Sequence, residues 1–348
     1  MKGIPMRAKI TDIARIAGCS ITTVSLVLNN KPNKISEKKK QQIFEAARQL
    51  KYFPNRQAAS LVTKKTNSIG LIIPDNCNNF FGSLSKAIEV CAHCNGYNLI
   101  YGNSGNEASK DYDYIVMFLE RCVDGIILVK SAAENSQSTD RLTELIKASQ
   151  VPLVILDRAI ENVNCPTFTV DNHYGGYIAT KHLIEQGHRR IGCYTGPLDV
   201  SSAAERLDGY RQALNEAGIL YEPRLIFEGD YQLGRERQAF ARFEKERVTA
   251  VFAQNDIMAY GLYRQIQTAG KSIPDDYAIV GFDDLFLSAI ISPTLSSVRQ
   301  PVESLGTAAA EKLMAMINGE KDTQVSPGEE MSFPPELIVR DSSITKGR

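Results

Sequence analysis

What this chain lacks narrows its function before any motif is read. No window approaches the roughly 20 apolar residues that a membrane-spanning helix needs, so no contact with a membrane is expected. The start, Met1-Lys-Gly-Ile-Pro5, carries no apolar run and reads as free of a secretory signal; translation can begin at Met1 or at Met6. The seven cysteines are odd in number and scattered, which fits reduced thiols in a cytoplasm rather than a disulfide framework. Their one close pair, Cys91-Ala-His-Cys94, falls near the end of an expected helix, whereas a redox pair would sit at a helix start, where the dipole favours thiolate. Histidine occurs only four times, at His93, His173, His182 and His188, and forms no HExxH. The turn after the first expected strand, Ile73-Pro-Asp-Asn-Cys77, has no glycine fingerprint for a dinucleotide, and no phosphate-binding GxxxxGK[ST] is present. Gly102-Asn-Ser-Gly-Asn106 fails as a nucleophile elbow at its last position. With no nucleophile beside a base, no metal set and no cofactor motif, neither catalysis nor a cofactor is expected.

Net charge is also absent, 40 basic against 40 acidic residues, but its distribution is uneven. Residues 1–66 hold 14 Lys and Arg against 3 Asp and Glu, and the remaining 282 residues carry the compensating acid. A small basic module on an acidic body is the electrostatic pattern of a nucleic-acid reader joined to something that should avoid phosphates.

The basic module contains the pattern of two short helices and a tight turn, residues 10–29. Thr11 is expected as the first N-cap, with Ile13, Ala14 and Ala17 as an apolar face. Gly18 supplies the turn, and Ser20 caps a second helix whose Val24, Val27 and Leu28 recur at helical spacing. Ile21, Thr22, Ser25 and Leu26 then point outward. Ser36 to Leu50 supplies a third helix, with Ile43, Ala47 and Leu50 on one stripe. Beyond it, Arg56 to Val62 can make under two turns of helix, too short to be stable alone. Such a segment is either a linker or a helix that forms against a partner; in the second case Leu61 is a wedge between base pairs.

From Ser68 the texture changes to short apolar runs separated by helical stretches. The runs are 69–73, 99–101, 125–129 and 153–156, then 168–170, 191–194, 225–227, 250–253 and 278–282. Tyr174–Gln186, Ala203–Ala217 and Ile257–Ala269 read as helices between them. Continuous apolar strands of this kind imply parallel sheets covered on both faces. A pause near Pro166 divides them into two doubly wound sub-domains, the multidomain α/β class with an all-α module in front. In such sheets ligands lie beyond the carboxyl ends of the strands. Those ends offer Asp75, Asn103, Lys130, Asp157-Arg158, Gly196, Asp230-Tyr231, Asn255-Asp256 and Asp283-Asp284. Carboxylates and amides with Phe80, Phe81 and Tyr231 nearby suit a small polyhydroxylated ligand.

These motifs together resemble the lactose/galactose repressor (LacI/GalR) family of bacterial regulators, from about Ala8 to Asp341. The residues that carry the resemblance are Asp12-Ile-Ala-Arg-Ile-Ala-Gly-Cys-Ser-Ile-Thr-Thr-Val-Ser25, Leu50-Lys-Tyr-Phe-Pro-Asn55, Ala58-Ala-Ser-Leu61 and Pro74-Asp75 with Asn79-Phe-Phe81. Val123-Asp-Gly125, Gly187-His-Arg-Arg-Ile-Gly192, Arg206-Leu-Asp-Gly209, Asn255-Asp256 and Gly281-Phe-Asp-Asp284 follow in order. The resemblance implies a helix-turn-helix headpiece over 8–53, a hinge helix and linker over 54–66, and an effector-binding, dimerising body over 67–341. Within the body it implies sub-domains of about 67–168 plus 299–325, and 169–298 plus 326–341, with a periplasmic-binding-protein-like fold.

The function implied is a repressor whose affinity for double-stranded operator DNA is set by a small-molecule effector, a sugar or sugar derivative. DNA contacts would fall on Thr11, Ser20, Ile21, Thr22, Thr23, Ser25, Leu26, Asn29, Tyr52, Asn55, Arg56, Ala58 and Leu61. Effector contacts would fall on Phe80, Phe81, Asp157, Arg206, Tyr231, Asn255 and Asp283. Leu26 stands where many members carry a polar reader, so a bidentate guanine contact is unavailable there. Ala59 replaces a frequent hinge arginine. The chain ends soon after Asp341 with no leucine-heptad tail, so a homodimer is expected, with Ala289-Ile-Ile291 in its interface. A solute-binding protein would share the body but lack the basic headpiece, and a sugar-acting enzyme would need catalytic groups that this chain does not display.

Overall fold

Short amphipathic segments open the computed structural model, which describes residues 8–29, 32–52, 65–132, 136–320, 328 and 330–344. The chain divides between Thr66 and Asn67 into two compact units.

The first unit is three helices, α1 (Ile10–Ala17), α2 (Ile21–Leu28) and α3 (Glu37–Gln49). Thr11 is not the cap of α1. The cap is Lys9, two residues earlier, because Asp12 reaches back to accept the Lys9 N–H at 2.9 Å and leaves Thr11 exposed in the first turn. Gly18, at φ 57°, ends α1, and Lys39 Nζ donates to the Ala17 carbonyl at 2.9 Å, a cation where the dipole is negative. The chain then bends by 105° into α2, whose cap is Ser20: its Oγ accepts the Thr23 N–H at 3.1 Å. Ile13, Ala14, Ala17, Val24, Val27, Ile43 and Ala46 form the core, with Leu28, Ala47, Leu50 and Tyr52 packed at its edge.

The second unit starts with β1 (Ser68–Ile73), α4 (Asn79–Cys94), β2 (Asn98–Asn103), α5 (Ala108–Glu120), β3 (Gly125–Leu128), α6 (Ser136–Ala148), β4 (Leu153–Leu156) and β5 (Thr167–Val170). It continues with α7 (Asn172–Glu185), β6 (Ile191–Thr195), α8 (Ser201–Glu216), β7 (Ile226–Glu228), α9 (Glu236–Lys245), β8 (Ala250–Ala253), α10 (Asp256–Thr268) and β9 (Ala278–Asp283). Last come β10 (Ser296–Arg299), α11 (Val302–Asn318), β11 (Glu330–Phe333) and β12 (Glu336–Ile338). Two six-stranded sheets result, in orders β11-β5-β4-β3-β1-β2 and β12-β10-β9-β8-β6-β7. Every pairing is parallel except β10 with β12.

Helices cover both faces of each sheet, which is why central strands such as β3, β4 and β8 are apolar throughout. In the first sheet Ile69, Leu71 and Ile73 face α4 and α11, while Ile72, Ile126 and Leu128 face α5 and α6. In the second, Tyr194, Val251 and Ile279 pack with α9 and α10, and Cys193, Phe252 and Val280 with α7 and α8.

Three details differ from the sequence reading. Leu225 closes a 3-10 turn, Pro223–Leu225, and β7 starts after it. The strands β10, β11 and β12 are additional; Ser296-Ser-Val-Arg299 lacks the apolar run that marks the others. Residues 330–333, expected with the second sub-domain, pair with β5 in the first sheet, Glu330 opposite Thr167 through Phe333 opposite Val170. The chain therefore crosses between sheets three times, after β5, after β10 and between β11 and β12, and the crossings run abreast. Asp171 N–H donates to the Phe333 carbonyl at 2.9 Å, and Arg299 lies opposite Glu336.

Candidate functional site

In the headpiece unit the exposed residues of the expected reading set are Thr11, Ser20, Ile21, Thr22 and Asn29; Thr23, Ser25 and Leu26 are half-buried. Ile21 keeps 48% of its surface, comparable to Ile16 (51%) and Phe44 (50%) in the same unit. Several of the hydroxyls and amides already serve the helix. Ser20 and Thr23 share a 2.8 Å hydrogen bond, and Asn29 Nδ2 donates to the Ser25 carbonyl at 2.9 Å. Tyr52 is half-buried against the headpiece core. Asn55, Arg56, Ala58, Ala59 and Leu61, with the rest of the expected hinge helix, lie outside the described residues.

In the second unit a cavity of about 430 Å³ opens between the carboxyl ends of the two sheets, and all seven expected effector residues line it. From the first sub-domain, Asn78 starts α4 by accepting the Phe80 N–H at 3.0 Å, which sets Phe80 and Phe81 edge to face with centroids 5.1 Å apart. Asp157 follows β4 at φ 68°, its N–H held by the Phe168 carbonyl at 2.8 Å. Burial pushes the Asp157 carboxyl up, against the opposing pull of Arg158 and Arg206.

Arg206 comes from α8 of the second sub-domain. That helix lies so close to α7 that a Cβ on Gly176 would meet the Arg206 carbonyl at 2.1 Å, and one on Gly209 the His173 carbonyl at 2.0 Å. The close approach lets Arg206 Nε donate to Asn172 Oδ1 at 2.8 Å and Nη1 to the Gln254 carbonyl at 2.6 Å, its guanidinium 3.6 Å above the Phe282 ring. Tyr231, at φ 65°, lays its ring over Gly196, where a Cβ would meet Tyr231 Cζ at 2.1 Å. Asn255 is half committed: its Oδ1 caps α10 through the Met258 N–H at 2.9 Å, and its Nδ2 donates to the Tyr231 carbonyl at 2.9 Å. Asp283, at φ 107°, accepts from Gln300 Nε2 at 2.6 Å. Burial and the neighbouring Asp256 push its carboxyl up to about 8, with Arg206 opposing.

Of the other strand ends, Asp75, Arg158 and Asp230 also face the cavity, and Asn103, Lys130, Gly196, Asp256 and Asp284 do not line it. Asp256 is structural, accepting from Leu285 N–H at 2.8 Å and from the hydroxyls of Ser288 and Ser297 at 2.6 Å. Asp284 pairs with Arg299 and Arg340, both at 2.7 Å. Residues that the sequence reading did not single out complete the wall, chiefly Asn106, Ser202 and Gln300. Three buried polar atoms of the wall have no hydrogen-bond partner: Arg158 Nε, the Tyr231 hydroxyl and Gln300 Oε1. Buried polar atoms in that condition call for a polar ligand or water. Cys91 and Cys94 end α4, and burial raises the Cys91 thiol, as helix packing requires. Among the described residues no group of three His, Cys, Asp or Glu is placed to hold a metal, and no single helix is long and apolar enough to cross a membrane.

Comparison with known proteins agrees with both units. Residues 9–55 match the model of bacterial regulatory proteins of the lacI family, and residues 180–343 that of a periplasmic binding protein-like domain. The HTH-type transcriptional repressor PurR of Vibrio atlanticus is 36% identical over 97% of this chain and 99% of its own. The HTH-type transcriptional regulator DegA of Bacillus subtilis is 33% identical over 97% and 98%. Among solved structures, the CelR–cellobiose complex superposes with a TM-score of 0.71 at 28% identity, covering 97% of this chain and 100% of that one. The lac repressor bound to ONPG superposes with a TM-score of 0.84 at 25% identity, covering 97% and 99%. With a helix-turn-helix in front, a two-sheet body behind and relatives matched end to end, the chain belongs to the LacI family: it is a DNA-binding transcriptional regulator and not an enzyme.

Proposed function

We propose that the protein is a cytoplasmic repressor that binds a near-palindromic operator as a homodimer and is controlled by a sugar or sugar derivative held between its two sheets. The observation that carries the effector half is the convergence of Phe80, Phe81, Asp157, Arg206, Tyr231, Asn255 and Asp283, from both sub-domains, on one cavity with unused polar atoms. Aromatic faces beside carboxylate and guanidinium groups match the two sides of a sugar ring. A raised Asp283 acid group can donate as well as accept, which suits hydroxyls.

For DNA, α2 would enter the major groove. Thr22 gives direct readout there, while Ile21 and Leu26 offer apolar contact to thymine methyls. Thr11, Ser20, Thr23, Ser25, Asn29 and Tyr52 flank them, and Lys38, Arg48, Lys51 and Arg56 reach phosphates. Asn55, Ala58 and Leu61 would dock in the minor groove, Leu61 as the wedge that kinks a central step. Phe286, Leu287 and Ile290 expose 77%, 44% and 57% of their surface beside Ala289 and Ile291, an apolar patch suited to the second copy. An effector that changes the angle between sub-domains then changes whether two hinges can pair, with a coupling of about 1–3 kcal/mol between sites.

The test is selection of genomic fragments by the purified protein at moderate salt, with and without a panel of sugars. An enriched palindrome of about 14–20 bp whose retention changes with one sugar is the expected result. Folded, dimeric protein with no sequence preference under every condition would refute the proposal.

A further inference from the structure

Resting on the reading that α2 enters the major groove, the headpiece also limits what that helix can distinguish there. Ile21, Thr22, Ser25, Leu26 and Asn29 recur at helical spacing on one face, opposite the buried Val24 and Val27. α2 carries no charged side chain, which excludes from this face the paired contact of arginine or lysine to guanine and the acceptance of a cytosine amine by a carboxylate. Asn29, its one amide, turns back on its own helix: Nδ2 donates to the Ser25 carbonyl at 2.9 Å and to Ser25 Oγ at 3.3 Å. A paired contact to adenine needs the amide nitrogen and oxygen together, so that contact is withdrawn as well. What faces outward is two apolar side chains, Ile21 and Leu26, with the hydroxyls of Thr22 and Ser25.

We propose that this face reads the methyl group at C5 of a pyrimidine rather than the base that carries it, so that 5-methylcytosine in an operator is bound as thymine is. In the major groove thymine presents a C5 methyl and the O4 acceptor, whereas cytosine presents the N4 donor and no methyl. A methyl added at cytosine C5 stands where the thymine methyl stands. Ile21 and Leu26 respond to that methyl and to nothing polar. A hydroxyl donates to O4 as readily as it accepts from N4, so Thr22 and Ser25 do not restore the distinction. The face therefore separates methylated from unmethylated pyrimidines and is blind between the two methylated ones. Methylation of a cytosine at such a position then switches operator binding on.

The experiment is gel-shift titration of the full-length protein with synthetic duplexes of the operator recovered by fragment selection, under the condition that retained it. Each thymine is replaced in turn, in both half-sites together, by uracil, by cytosine and by 5-methylcytosine, the last two paired with guanine. Uracil differs from thymine, and cytosine from 5-methylcytosine, by the methyl alone. At one position or more, uracil should weaken binding about fourfold per half-site, the worth of burying one methyl, and so about fifteenfold in the palindrome. At the same position 5-methylcytosine should bind more tightly than cytosine by a similar factor and within about threefold of thymine. Ile21→Ala or Leu26→Ala should bring the ratio of thymine to uracil within twofold. Uracil bound as thymine at every position, or 5-methylcytosine bound no better than cytosine, would overturn the proposal and leave the operator reading standing. Both comparisons use the wild-type protein, so they decide the matter even where a variant fails to fold. A thymine preference that survives in both folded variants would also overturn the assignment to this face. Recovery of no preferred duplex by folded protein would overturn both readings.

Discussion

Replacing Arg206 by Leu removes the group around which the effector cavity is organised, and the structure fixes what is lost. Leucine keeps part of the aliphatic stem but not the group over Phe282, so the change isolates the guanidinium. Asn172 Oδ1 and the Gln254 carbonyl each lose a charged donor, at 2.8 and 2.6 Å. Both residues are buried, at 2% and 0% exposure, so water replaces the donors poorly. Hydrogen bonds to charged groups contribute about 1.5–3 kcal/mol each, and a desolvated cation over an aromatic face about 2 kcal/mol. Part of this sum is offset because burying the cation is itself costly, so the net loss is about 3–5 kcal/mol. In a unit of this size each kcal/mol lowers the midpoint by about 2–4 °C, giving a fall of roughly 6–20 °C. The assay is thermal and urea unfolding followed by a probe in the body, alongside helicity of the headpiece, whose transition should not move. Arg206→Lys, which retains the charge but reaches one acceptor at a time, should lose less. A loss below about 1 kcal/mol for the leucine variant would show that Arg206 does not tie α8 to α7 and β8, and the account of the cavity would fail.

Other outcomes follow from the same contacts. Ser20→Ala removes the acceptor of the Thr23 N–H and should destabilise the headpiece by about 1 kcal/mol, read as a lower midpoint of the isolated headpiece transition in the intact protein. The Asp283 carboxyl is raised from 3.8 to about 8 in the folded chain, so between those values the folded state holds more protons than the unfolded one. Stability should therefore fall as pH rises from about 4 to 8, and Asp283→Asn should flatten that slope without abolishing it, since Asp256, raised to about 7, adds the same sign; an unchanged slope in denaturant titrations refutes the assignment. Leu61→Ala should weaken specific operator binding while leaving sugar affinity within twofold, and gel-shift titrations showing unchanged operator affinity would rule out the wedge. Operator affinity should drop about 10³-fold or more between 50 and 200 mM salt if several phosphates are neutralised per dimer.

Much of this was legible in the sequence because burial on two faces leaves a strong trace. β4 and β8 are uninterrupted apolar runs and were bounded to the residue, and helix spacing placed Ile13, Val24 and Ile43 in the headpiece core. The strands that went unread are those whose contacts are long-range. β10 is Ser-Ser-Val-Arg, buried through hydroxyls bonded to Asp256 and Ser343 and through the Ser296 N–H donating to Ser342 Oγ, partners 41 to 47 residues away. Missing β10 also hid Gln300, which stands one residue past its end and closes the cavity against Asp283. Thr11 was misread for a local reason: Asp12 supplies the reciprocal bond to Lys9, and a polar residue two positions from the true cap looks the same in sequence. The strand-end rule found Asp157, Tyr231 and Asp283, but it treated Asp256 and Asp284 as equals of their neighbours. Only the packing shows that those two face inward, onto serines and arginines of their own sub-domain.

The three crossings between sheets have a mechanical meaning. Two rigid bodies joined by a single tether can tilt in any direction, whereas strands lying abreast resist both shear and splay and leave one axis free, the line across them. The tether between β11 and β12 is Pro334-Pro335, two residues whose ring-locked torsions make it the stiffest link of the three. A molecule at the mouth of the cleft therefore works on a lever with one degree of freedom. Its grip on the lobes becomes a rotation of fixed direction rather than a diffuse loosening, which is the form of motion a pair of DNA-binding arms can count.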